Sequence, residues 1–389
     1  MTLTFHWFLP TQGDSRGIVG GGHGVEVASA WQTREPTLAY LAQVARAAEQ
    51  LGFAGVLTPT GAWCEDAWLS TAMLVGATRR LRFLVALRPG LLSPTLAAQM
   101  AATYQRLSEG RLLLNVVTGG ESAEQRGHGD FLDKDARYAR TDEFLRIATR
   151  LWEGETVDFA GDHLTVEQAA LHRPPVARPP VYFGGSSPAA LEVAARRADT
   201  YLTWGEPPGP VTDKIDRVRA LAARRGRALE YGIRLHVITR DTAAEAWGEA
   251  DRLLSRLDDT TVSGVQAGLA RSESEGQRRM RALHGGSRDH LEVYPNLWAG
   301  VGLARGGAGT ALVGSHSEVA DRIEEYHRLG ITEFVLSGYP HLEESYWFGE
   351  GVLPLLHKRG LWHHPDAAPP AAHPRVPLAR PSLTADPAT

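Results

Sequence analysis

Eight apolar runs punctuate the chain: TFHWFLP (4–10), GVLTP (55–59), RFLVALRP (82–89), LLLNVVTG (112–119), PVYFGG (180–185), TYLTWG (200–205), YGIRLHVIT (231–239) and EFVLSGYP (333–340). Several are apolar at nearly every position, the pattern of strands covered on both faces. Helical periodicity fills the intervals. Val211, Ile215, Val218 and Leu221 fall on one helix face, and Val319, Ile323 and Tyr326 on another, the latter opened by Ser315 with Glu318 as a capping box. Four helix patterns close on glycine and pass into an apolar run, in QLGFAGVL, SEGRLLLNVV, RRGRALEYGIRLHV and RLGITEFVL. Glycine after a helix accepts the left-handed conformation that satisfies the last carbonyls, so each marks a helix-to-strand turn. Strands alternating with helices predict an α/β fold, a closed parallel (β/α)8 TIM barrel with insertions at the C-terminal face of its strands. A doubly wound open sheet is the competitor, disfavoured by the strand count and by the absence of GxGxxG after the first strand.

One barrel domain is expected over residues 1–362. Two stretches interrupt the alternation, 120–137 and 259–314; long insertions between a strand and its next helix belong to the functional face. The second is glycine-rich from Gly300 to Gly314, with Arg305 among the glycines, and reads as a mobile lid. Residues 363–389 form a Pro/Ala-rich tail without periodicity, expected to be disordered alone or to wrap a surface.

The run GIRLHVIT carries the first chemical signal. Alternation puts Ile233, Leu235 and Val237 on one side of a strand and Arg234, His236 and Ile238 on the other. Burying an unpaired guanidinium is costly, so that second face is wet, paired with a carboxylate, or awaiting an anion. In such a barrel the strand ends build the active site. Those ends carry Gln12, Thr58, Arg88, Thr118, Gly185, Ser186, Ser187, Trp204, His236, Tyr339 and His341: hydroxylic, aromatic and basic groups with few carboxylates. This inventory suits an anionic ligand with a flat aromatic part. In YFGGSSPAAL, Gly185, Ser186 and Ser187 precede Pro188 at a first helical position, an arrangement that cradles phosphate and equally fits an ordinary capped helix.

Composition narrows the classes. The chain has 389 residues, 43% hydrophobic and 22% charged, with net charge −4 and no basic patch suited to nucleic acid. Cys64 is the lone cysteine, which excludes an intrachain disulfide and on its own reads as a small hydrophobe. No metal-ligand spacing is present, and no apolar stretch is long enough to span a membrane; a soluble cytoplasmic protein is expected.

The segments FHWFLPT, VLTPTGAWCEDAW, FLVALRPG, VYFGGSSP, YLTWGEPP, GIRLHVIT, YPNLWAGVGLARGGAGTALVG and FVLSGYPHLEESY together resemble the alkanesulfonate monooxygenases of the bacterial luciferase-like superfamily, from Leu3 to about His357. The resemblance implies a two-component, homo-oligomeric monooxygenase. Reduced FMN, delivered by a separate NAD(P)H-dependent FMN reductase, and O2 would convert a small organosulfonate to an aldehyde and sulfite. It implies roles residue by residue. Arg234 holds charge on the sulfonate or on activated oxygen, His236 serves as acid/base or hydrogen-bond donor, and Cys64 lies near the flavin's reactive carbon. Trp204 and Tyr339 are substrate-side groups, Arg305 closes over the site, and Tyr138 contacts phosphate with Gly185, Ser186 and Ser187, while Thr58 and Thr118 belong to the cofactor rim. Gln12 departs from the family pattern LPTHGD; it keeps a positioning role toward substrate but cannot titrate. With the distinctive loop from Ile18 to Ala30, this leaves room for a hydroxylated sulfonate such as a sulfosugar. Methanesulfonate or sulfone oxidation, a catalytically silent flavin-binding barrel, and deazaflavin-dependent hydride transfer are the alternatives.

Overall fold

In the computed structural model, which describes residues 2–18 and 34–367, each of the eight apolar runs is a strand. In chain order the strands are β1 (Thr4–Phe8), β2 (Gly55–Thr58), β3 (Arg82–Leu87), β4 (Leu112–Val116), β5 (Val157–Ala160), β6 (Thr165–Ala169), β7 (Val181–Gly184), β8 (Thr200–Trp204), β9 (Glu230–Arg240), β10 (Glu292–Tyr294), β11 (Leu297–Trp298), β12 (Ala311–Ser315) and β13 (Glu333–Ser337). β1, β2, β3, β4, β7, β8, β9 and β13 pair in parallel in that order, and β13 returns to β1. The sheet is thus a closed (β/α)8 barrel. β1, β2 and β3 stop short of their apolar runs, where Pro10, Pro59 and Pro89 have no N–H to give the ladder.

Alternation sorts the side chains into two cores. Phe8, Leu57, Leu84, Leu113, Tyr182, Leu202 and Val335 fill the barrel interior. Their neighbours, such as Trp7, Val56, Phe83, Ile233 and Leu235, pack outward against the helices in the larger cluster. The N-terminal end of the barrel is plugged by polar groups: His6 Nε2 lies 3.0 Å from Glu333, which also accepts from Tyr182 OH at 2.7 Å. The helix-to-strand glycines Gly52, Gly110, Gly226 and Gly330 all have positive φ, and the Ser315–Glu318 capping box forms.

Two additions lie outside the alternation read from sequence. β5 and β6 form a separate antiparallel hairpin. More consequential is β9, whose 11 residues outrun the barrel. Its first half pairs with β8 as far as Trp204↔Arg234; beyond that point β12 takes over the same edge, with His236 N donating to Thr310 O at 2.8 Å and Ala311 opposite His236. β11 and β10 extend this upper sheet antiparallel. The stretch expected as a lid therefore ends in a buried strand, because ALVG packs its apolar side chains against β9 and the helix Ala243–Ser255. Before it run the helices Asp259–Leu269 and Glu275–His284.

The two insertions meet over the mouth. Ser122 Oγ donates to Glu273 at 2.8 Å, Lys134 Nζ donates to the Glu273 carbonyl at 2.5 Å, and Arg137 lies 3.7 Å from the Glu273 carboxylate. Of the expected tail, Asp366 pairs with Arg80 at 2.8 Å; residues 368–389 lie outside the described residues, as do 19–33, which hold all of the distinctive loop but Ile18. Among the described residues no helix is long and apolar enough to cross a membrane.

Candidate active site

A cavity of about 240 Å³ opens at the C-terminal ends of the barrel strands, under the bridge between the insertions. Arg234 points into it from the inner face of β9, 6% exposed, with its guanidinium 4.9 Å from the Phe8 ring centre. Nη1 donates to the Leu235 carbonyl at 2.6 Å and Nη2 to Ser337 Oγ at 2.9 Å. Arg305 enters from the second insertion, Nη1 donating to Tyr339 OH at 2.5 Å. Neither arginine has a carboxylate partner among the described residues. Burial, and then the neighbouring Arg305, push the Arg234 pKa down to about 9, which still leaves it charged at neutral pH. Two adjacent buried guanidinium groups without a counter-ion are costly, and the geometry that relieves the cost is an anion between them. The carboxylate-paired reading of the GIRLHVIT strand finds no carboxylate partner among the described residues.

His236, two residues on, does not line the cavity. Its Nε2 is 3.1 Å from the Ala308 carbonyl, which can only accept, so Nε2 carries the proton; Nδ1 accepts from Ser337 Oγ at 2.7 Å. The ring stacks on Tyr339 with centres 5.5 Å apart. Burial first, then Arg234, Arg305 and His341, hold its pKa well below 6.5. A relay results: Arg234 donates to Ser337, Ser337 to His236, and His236 to the insertion backbone. This environment fixes the ring as a neutral orienting group. The linkage has a definite sign. Above pH 6.5 both folded and unfolded forms are neutral; below it only the unfolded chain takes up the proton, costing up to ~1.4 kcal/mol of stability per pH unit. His236→Asn is accordingly expected to lower the rate while leaving the shape of the pH–rate profile between pH 6 and 8 unchanged, and to flatten the acid limb of the stability curve. A lost inflection in the rate profile would instead make the imidazole a titrating group.

The other end of the cavity is built by the helix Pro188–Arg197. Ser187 is its N-cap, Oγ accepting from Ala190 N at 3.3 Å, and Pro188 sits in the first turn. Gly185 has φ +144°, and a Cβ there would stand 2.6 Å from the Ala190 side chain and 3.3 Å from Tyr138 OH. Only glycine lets these groups close on one another. Tyr138, Ser186, Ser187, Lys134 and Thr118 face the same space. Trp204 walls the cavity from β8, close against Gly276 of the second insertion. Behind Trp204, buried Glu206 accepts from Lys214 Nζ at 2.5 Å and pairs with Arg279, which ties the helix Glu275–His284 to the barrel.

Several expected site residues stand apart from the cavity lining. Thr58 alternates with inward-facing Leu57 and turns to the helix side, which removes it from the rim. Cys64 Sγ lies 3.6 Å from the Gly61 carbonyl; burial pushes its thiol up to about 11, so it stays protonated. Tyr339 acts through Arg305, and Gln12 keeps both amide atoms buried without a partner. The sequence reading missed Asn115 and gave Arg88 and His341 no role beyond a place among the strand ends. Arg88 and Asn115 line the cavity from β3 and β4. His341 is fully buried, its Nδ1 2.9 Å from Asp14, which also accepts from Tyr40 OH at 2.5 Å; its Nε2 has no partner. The SGYPH strand end named His341 but could not reveal Asp14, 327 residues away.

Solved structures share this architecture. A riboflavin lyase, solved with modified FMN and riboflavin, is 19% identical, with 94% of this chain and 93% of that one covered at a TM-score of 0.78. A long-chain alkane monooxygenase is 19% identical, with 93% of each chain covered at a TM-score of 0.73. The EDTA monooxygenase of Chelativorans sp. BNC1 is 17% identical over 95% of this chain and 96% of its own, TM-score 0.72. At these identities the likeness is one of fold. The family model for luciferase-like monooxygenases matches residues 3–333, and the chain belongs to that family.

Proposed function

We propose that the protein is the oxygenase of a two-component, FMN-dependent system that desulfonates an alkanesulfonate to an aldehyde and sulfite. The observation that carries the reading is the buried Arg234–Arg305 pair, which has no counter-ion among the described residues. Planar, permanently charged donors match sulfonate oxygens, whereas an uncharged alkane would leave both cations buried and unpaired. The cavity residues also fit FMN: Ser186, Ser187, Tyr138 and Lys134 can hold a phosphate at a helix N-terminus, with apolar walls from Phe8, Leu57, Ala86 and Leu202 beside it. Bound reduced FMN would supply the activation of O2. The chain's own residues orient the sulfonate through Arg234, held by Ser337 and His236, and exclude water through Arg305 and the insertion bridge. An NAD(P)H-dependent FMN reductase is the partner this chemistry requires.

The test is sulfite release by the purified chain with an FMN reductase, NAD(P)H and O2, across alkanesulfonates of increasing length, methanesulfonate, a sulfone and a sulfosugar. Sulfite from a sulfonate, and its loss in Arg305→Ala with reduced-FMN binding retained, is the expected result. Tight binding of reduced deazaflavin in place of reduced FMN, or no sulfite from any sulfonate, would overturn it.

A further inference from the structure

Arg88 continues the inner face of β3 past its last rung, in line with Arg82, Leu84 and Ala86. It is 8% exposed and lines the cavity, yet among the described residues only one of its nitrogens has partners: Nη2 donates to the Thr60 carbonyl at 3.2 Å and to Glu124 at 3.0 Å. Nε and Nη1 are buried and unpartnered. Leaving two charged donors unmet is costly, so their place on the cavity wall points to a ligand.

Position decides which part of a ligand. Around the barrel, β3 lies four strands from β9 in either direction, so Arg88 enters the cavity from the wall opposite Arg234. Its own wall is continuous with the helix-end cradle. Ala86 pairs with Asn115, and Asn115 with Tyr182 of β7, so β3, β4 and β7 adjoin. Two interstrand spacings, roughly 10 Å, separate Arg88's strand from the one that leads into Ser186 and Ser187. Trp63, Pro59 and Ala86 give this wall flat apolar surface. The contact with Glu124 already neutralises the Arg88 charge, which suits its free donors to neutral carbonyl oxygens better than to a second anion.

We propose that Arg88 is a flavin-binding residue whose Nε and Nη1 donate to carbonyl oxygens on the pyrimidine edge of the isoalloxazine, fixing how the ring lies along the β3–β4–β7 wall. The assignment rests on the FMN reading above. Asn115, beside it, supplies a further amide to the same edge.

Anaerobic fluorescence titration of the full chain with reduced FMN and with reduced riboflavin tests it. Arg88→Met is expected to weaken both flavins by the same factor, roughly 10–100-fold. Tyr138→Phe, at the phosphate end, should weaken FMN alone. Arg88→Lys keeps a partner for Glu124 and so guards against a folding defect; it is expected to fall between Arg88→Met and wild type. Three results would overturn the assignment: both flavins bound as in wild type by Arg88→Met, a loss confined to FMN, or weakened sulfonate binding with flavin affinities untouched. If the wild-type chain binds neither reduced flavin, the FMN reading itself fails and this assignment with it.

Discussion

Arg234→Met is expected to melt at a higher temperature than wild type and to lose sulfonate turnover. Both effects have one cause. The guanidinium is 6% exposed, lies beside Arg305, and has only carbonyl and hydroxyl oxygens around it. Replacing an uncompensated buried charge by a side chain of similar length stabilises folded proteins by ~1–4 kcal/mol, and methionine can lie against Phe8 where the guanidinium does now. The same substitution removes half of the anion site, and a single lost charge-assisted contact to a desolvated anion costs on the order of 10²–10³ in kcat/KM. Thermal melts with and without a sulfonate supply the check: the anion should raise the melting temperature of wild type strongly and of Arg234→Met little. An equal response in the two proteins would place the anion elsewhere.

Glu206→Ala has the largest expected cost to stability, ~3–5 kcal/mol, because it strips a buried cation of its partner. Glu206 is 3% exposed and receives both Lys214 and Arg279. Arg279, with a third of its side chain exposed, can turn to solvent once the carboxylate is gone; Lys214 cannot. Burial already depresses the Lys214 pKa against the pull of Glu206. Without Glu206 the folded state favours the neutral amine while the unfolded chain keeps its proton up to about pH 10.4. The defect is therefore expected to shrink as pH rises toward that value, the same sign of linkage as for His236 but displaced to the alkaline side. Adding Lys214→Met should recover most of the loss. Urea unfolding of the single and double variants measures this, and a pH-independent defect would mean that repacking, not the stranded charge, sets the cost. Because Arg279 tethers the insertion helix at Trp204, Glu206→Ala should also raise the KM for sulfonate.

What the sequence disclosed divides along sequence separation. Period-two alternation placed Arg234 and His236 on the inner face of their strand, and helix-closing glycines marked the turns, because both are properties of a few consecutive residues. The same rule, applied to Leu57 and Thr58 together, would have sent Thr58 outward; taking every strand-end residue as rim put it inside. β12 was read as part of a lid because its approach, GVGLARGGAG, has the composition of a loop, while its strand character depends on a partner edge that only β9's overshoot exposes. The Asp14–His341 contact, the Glu206 cluster and the open donors of Arg88 depend on which distant residues fail or manage to meet. No local pattern encodes that.

Because β9 continues beyond the barrel and receives Thr310 and Ala311 on the edge β8 vacates, the roof is joined to the strand that carries Arg234 and His236 by ladder rungs and not by side chains alone. It behaves as a cassette. Segments exchanged between relatives with crossover points just before Leu291 and just after Gly309 would import a new ceiling, with its own arginine, onto an unaltered floor. A one-residue deletion inside Ala311–Ser315 is the opposite case: it would put every following side chain of that strand on the other face. A roof exchanged at this seam would change the ceiling of the cavity while leaving the barrel floor as it is.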